Sequence, residues 1–147
     1  MSAEATDKVR TIKNSQFGEL EVHPEYIFFF PNGLLGFDDL HEFILINEEE
    51  TEPFKWLLSL AEPEIGFPLL SPWHIDLAYD PGDIFNVKTQ ALFVVVTLEN
   101  TNGSMTANFK APLIFDIDKQ EGHQVILPSD KFSPTHIIAQ TTQQQNK

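Results

Sequence analysis

The 147-residue chain contains no cysteine. Disulfide frameworks, thiolate zinc sites, iron-sulfur ligation and cysteine nucleophiles are therefore excluded together. Basic residues are scarce, nine Lys and Arg against 22 Asp and Glu, for a net charge of -13. Affinity for phosphate backbones comes mainly from cations that release counterions, so this balance argues against direct nucleic-acid binding and points to a basic or neutral partner. Long apolar runs are also missing: the longest, Tyr26 to Phe30 and Ala91 to Val96, are strand-sized, far below the roughly 20 residues of a spanning helix. The opening decapeptide MSAEATDKVR lacks the apolar core of a secretory signal. The expectation is a cytoplasmic protein that does not engage a membrane.

What the chain does have is 41% hydrophobic residues, 13 of its side chains being Phe, enough to build one core without staples. Short apolar runs punctuated by Gly, Pro, Asn or Asp predict strands over Phe17–Val22, Tyr26–Phe30, Glu42–Asn47, Phe54–Leu60, Ala91–Leu98, Leu113–Asp118 and Gln124–Leu127. Ten prolines spread along the chain break any long helix, leaving helical turns near Asp38–His41 and Asp83–Val87. The predicted class is all-β, a single domain with short helical turns. Ala91 to Leu98, apolar nearly throughout, suits a central strand covered on both faces. The pattern alone leaves barrel and sandwich open. Turns are read at Pro31-Asn-Gly33 and Asn102-Gly103. Residues 1–10 read as a disordered extension, 11–138 as the domain and 139–147 as a disordered polar tail.

The charge is unevenly distributed. Residues 14–87 hold 15 acidic residues against one basic residue, Lys55, a local balance of -14. Its densest part is Glu48, Glu49, Glu50 and Glu52, either a solvated loop or an acidic face that steers a basic partner. Catalytic motifs are absent. The five histidines stand singly, and His74-x-Asp76, which on a strand would share a face, has no third metal ligand. Ser59, Ser71 and Ser104 have no GxSxG or SxxK context, and no glycine-rich phosphate loop occurs. Asp116-x-Asp118 and Asp76 with Asp80 could be imagined as an acid and base pair, but solvated carboxylates are far commoner. No metal, cofactor or catalytic residue is therefore assigned, and the weight moves to binding.

Two mixed segments stand out. Phe30-Pro-Asn-Gly-Leu-Leu-Gly-Phe37 is a turn bounded by aromatics. Met105-Thr-Ala-Asn-Phe-Lys-Ala-Pro112 joins apolar strands through small residues, with Asn108 either closing a local turn or facing a partner. With Phe17-Gly-Glu-Leu-Glu-Val22, Glu42-Phe-Ile-Leu45, Pro53-Phe-Lys-Trp-Leu57, the strand Ala91 to Leu98 and Gly122-His-Gln-Val-Ile-Leu127, these segments make an ordered set that resembles the bacterial flagellar assembly factor family, FliW, from about Thr11 to His136. Leu35 stands where the family often has Pro, and Asp116 where Asn is common. The resemblance implies a small β-barrel-like, non-catalytic protein. Its expected action is to bind the translational repressor CsrA, so relieving repression of flagellin messenger RNA, and to bind flagellin as well. Glu48, Glu49, Glu50 and Glu52 are the expected steering face, and Met105, Thr106, Asn108 and Phe109 the expected contact patch. The competing expectation is a barrel enclosing a small apolar ligand among its phenylalanines.

Overall fold

The computed structural model describes residues 8–98 and 103–140. Eleven strands run in chain order: β1 (Arg10–Asn14), β2 (Gly18–Val22), β3 (Ile27–Phe29), β4 (Glu42–Asn47), β5 (Lys55–Ser59), β6 (Gly66–Leu70), β7 (Gln90–Leu98), β8 (Ser104–Ala107), β9 (Leu113–Asp116), β10 (Glu121–Gln124) and β11 (His136–Gln140). One helix of four residues, α1 (Pro72–Ile75), and 3-10 turns at Pro24–Tyr26, Glu49–Thr51 and Gly82–Ile84 complete the described elements. The expected tails at Met1 to Asp7 and Thr141 to Lys147, and Asn102 of the expected turn, lie outside the described residues. Strand pairing begins at Arg10 and ends at Gln140, slightly wider than residues 11–138.

Seven strands close into a barrel, in the order β7-β6-β5-β4-β3-β10-β9 and back to β7. All its pairings are antiparallel except β3 with β10, where Phe29 lies beside Glu121. The nine-residue β7 makes closure possible because one of its edges serves two partners. Gln90 to Phe93 pairs with β9, and Val96 to Leu98 pairs with β8. The strand therefore leaves the barrel as it proceeds, carrying β8 and then β11 outward as a ribbon.

Alternation along these strands produces three cores. Phe28, Phe30, Phe43, Leu57, Leu69, Leu113 and Phe115 fill the barrel, with Phe67 and Phe93 packed against them. On the outside, Ile44 and Leu58 are covered by Ile12 and Val22 of the β1–β2 hairpin. Leu92, Val94, Val96 and Ile114 are covered by a layer that includes Trp73, Tyr79, Phe85, Phe109, Leu127 and Phe132. Both faces of β7 are thus covered as far as Val96, but Leu98 is 56% exposed because the outer layer stops short of it.

Several elements differ from the sequence expectation. Strands β1, β6, β8 and β11 and helix α1 were not read from the sequence. The expected strand at Gln124–Leu127 ends where it was to begin, with β10 at Glu121–Gln124. Here Gly122 lies against the Phe30 ring, and any Cβ would overlap it, so a residue that ordinarily weakens strands is required for packing. Asp38–His41 is a hydrogen-bonded turn rather than a helical one, with the Leu40 N–H donating to the Phe37 carbonyl.

An apolar groove beside an acidic turn

The sequence between β4 and β5 supplies four glutamates and one threonine. Glu49–Thr51 forms a 3-10 turn with Glu49, Glu50 and Glu52 exposed and Glu48 half-buried. Thr51 ties this turn to the barrel: its Oγ1 accepts from Trp56 Nε1 at 2.9 Å and lies 3.4 Å from a Glu48 carboxylate oxygen. Among the described residues, no Lys or Arg forms an ion pair with this turn. Lys55 Nζ instead donates to Asn47 Oδ1 at 2.9 Å, and Arg10 is spent on Glu42 at 3.1 Å.

Beside the turn, the uncovered outer face of the β5–β8 sheet forms a groove of about 480 Å³ lined by Thr51, Glu52, Phe54, Trp56, Pro68, Val96, Leu98 and Met105. Strand register assembles it: Trp56 opposes Pro68, and Leu98 opposes Met105. Trp56 also meets the hairpin through Phe17, ring centroids 5.7 Å apart and edge to face. The groove lies open to solvent, with ample room for several large apolar side chains.

The structure divides the expected site residues. Met105 and Glu52 come together on the groove, and Glu48, Glu49 and Glu50 stand on the adjoining turn. Thr106 and Phe109 are 7% and 3% exposed and lie beneath the surface. Alternation explains Thr106, which points away from Met105 and faces Thr97 across the ladder. Phe109 is drawn into the outer layer, stacked on His136 at 4.2 Å. Asn108 closes a local turn: Oδ1 accepts from the backbone N–H groups of Lys110 and Ala111 at 3.1 and 3.0 Å. Phe54, Trp56, Pro68, Val96 and Leu98 were not singled out from the sequence. Only pairing across four strands places them side by side.

The other chemical candidates take structural roles. His74 lies in α1 rather than on a strand, and Asp76 Oδ1 accepts from the Ala78 N–H at 2.9 Å. Asp80 and Asp116 likewise accept from Gly82 and Lys119 in their own turns, and the Ser59 hydroxyl accepts from the Glu62 N–H. Among the described residues, no three His, Asp or Glu gather as a metal site, and no helix is long and apolar enough to cross a membrane. In the outer layer, burial pushes the Tyr79 phenol up to about 12, and its hydroxyl donates to the Phe109 carbonyl at 2.9 Å.

A closed barrel with a side ribbon and an open apolar groove beside a glutamate-rich turn define a small all-β barrel protein. The family model of the FliW protein matches residues 11–138. The flagellar assembly factor FliW of Caldanaerobacter subterraneus subsp. tengcongensis is 32% identical over 137 residues, covering 86% of this chain and 91% of the relative. That of Thermotoga maritima is 31% identical, covering 88% and 93%. A crystal structure of the flagellar assembly factor FliW superposes with a TM-score of 0.77 at 30% identity, covering 88% of this chain and 96% of that one. The chain belongs to the FliW family of flagellar assembly factors.

Proposed function

We propose that this flagellar assembly factor acts in the cytoplasm, without catalysis, as a protein antagonist. In this reading it binds the translational repressor CsrA, relieves repression of flagellin messenger RNA, and also binds flagellin, so that flagellin synthesis follows assembly. The observation that carries the reading is the apolar groove holding Met105 and Glu52 beside a glutamate-rich turn that pairs with no Lys or Arg among the described residues. A basic RNA-binding protein is the complementary occupant. The glutamates raise its encounter rate, and the apolar wall supplies contact energy. Antagonism follows if the bound repressor favours a form that cannot hold RNA, through a difference in affinity between its two states.

Calorimetry with purified CsrA at two salt concentrations tests this. Met105→Ala weakens binding by about tenfold, because central apolar anchors outweigh rim charges. Single Glu→Gln changes at Glu48, Glu49, Glu50 or Glu52 cost only a few-fold, and the cost fades as salt rises. A larger loss from the glutamate variants, with none from Met105→Ala, overturns the assignment. A small apolar molecule retained in native mass spectrometry, and displaced by Met105→Trp, would make the groove a ligand site instead.

A further inference from the structure

The face of the β6–β7–β8 ribbon opposite the groove carries a second surface of different chemistry. Two hollows of about 330 and 130 Å³ share Leu34, Leu35 and Gln124 and form one elongated cleft. Its walls join the two segments singled out in the sequence, 30–37 and 105–112, far apart along the chain. Gln124 fastens them together: Oε1 accepts from the Leu35 N–H at 2.8 Å, while Nε2 donates to the Ala111 carbonyl at 3.0 Å. Gly33 sets the loop at φ +66, where any Cβ would press on the Phe37 carbonyl. The cleft is thus preformed, and little conformational freedom is lost when it is filled.

Its lining pairs apolar walls, Leu34, Phe67, Val95 and Pro134, with the amide and hydroxyl groups of Asn108, Gln124 and Thr97. The single ionised group is Asp38, at one end. The turn that occupies Asn108 Oδ1 leaves Nδ2 as a donor, and among the described residues no acceptor meets it. Neutral donors and acceptors above apolar walls match a peptide backbone and its uncharged side chains. They offer no cation to an anion, and the one carboxylate, Asp38, lies outside the hollow that holds Asn108.

We infer that this cleft binds an extended, uncharged segment of a partner protein, one of whose backbone carbonyls accepts from Asn108 Nδ2. The inference stands on its own residues and does not depend on the groove.

The test is selection of a random peptide library on the immobilised full chain, counter-selected against Leu35→Arg, a change at a residue 54% exposed. The enriched peptides are uncharged, and Asn108→Asp lowers their affinity at least tenfold with an unchanged thermal midpoint. That substitution retains an oxygen that accepts from Lys110 and Ala111 and replaces the donor with a charged acceptor that repels a peptide carbonyl. Met105→Ala leaves these peptides bound while it impairs CsrA binding, so the two assignments succeed or fail separately. Enrichment of charged peptides, indifference to Asn108→Asp, or no enrichment at all overturns the inference. So does a chain ending at Gln140 that binds the same peptides far more tightly, which would make residues 141–147 the resident occupant.

Discussion

The barrel interior and the outer layer over β7 use aromatic rings in opposite ways. Inside, Phe28, Phe30, Phe43, Phe93 and Phe115 meet edge to face at 5.1 to 5.8 Å, with no polar atom on any ring. Outside, Trp73 Nε1 donates to the Tyr79 carbonyl at 2.8 Å and the Tyr79 hydroxyl to the Phe109 carbonyl. The reason lies in the backbone. Closed strands satisfy one another's peptide groups, so the interior can be filled by hydrocarbon alone, whereas a layer made of loops needs side chains to pair its buried carbonyls. Such a layer also ends where its loops end. The strip beyond Val96, ending at the exposed Leu98, forms part of the groove, so the groove is an unfinished part of the second core.

The sharpest way to break this comparison is inside the barrel. Phe115→Ala, which removes a fully buried ring touching Phe28, Phe30 and Phe93, should cost about 3 to 5 kcal/mol in urea unfolding. Any folded fraction should retain its partner affinity. Gly122→Ala is expected to cost about 1 to 3 kcal/mol, because the Phe30 ring it meets is locked between Phe43 and Phe115. Unfolding would be unaffected only if that ring could move.

In the outer layer, Tyr79→Phe loses one buried hydrogen bond and should cost about 1 kcal/mol at neutral pH. Its sharper signature is in alkali. The folded phenol ionises near 12 and the unfolded one near its ordinary value of 10, so the native state holds its proton longer. The resulting stability is present below pH 10 and is lost as pH rises through 12. Thermal midpoints should fall across that window in the parent chain, and the step should shrink in Tyr79→Phe. A step of equal size in both would assign it elsewhere. The smallest effect on folding belongs to the unfinished edge. Met105→Ala should change stability by less than about 0.5 kcal/mol while showing the larger binding loss, and equal effects on both would place Met105 in the core.

How much of this was legible depended on the period of the signal. Residues Ala91 to Val96 announce a two-sided strand because nothing polar interrupts them, and the all-β class follows from prolines and short apolar runs. By contrast, β1 is RTIKN and β8 is SMTA, segments whose strand character comes from their partners rather than from their own apolar content. Asn14 illustrates this: its Oδ1 accepts from Gln16 and Phe17, and its Nδ2 donates to the Pro63 carbonyl at 2.7 Å. The contact patch was half legible for the same reason. The structure brings Met105 beside the glutamate turn, but a run read as one patch is divided, with Met105 at the groove, Asn108 at the cleft and Phe109 in the core.

By itself the sequence determined the class, the family and the sign and location of the charge, since composition, local pattern and ordered motifs are properties of the chain as written. Only the tertiary structure decided that the sheet closes at β7, where the outer layer stops, and which face each residue of 104–109 presents. Those are matters of register and long-range pairing. A shift of one residue exchanges the two faces of a strand, and no local window of sequence specifies it.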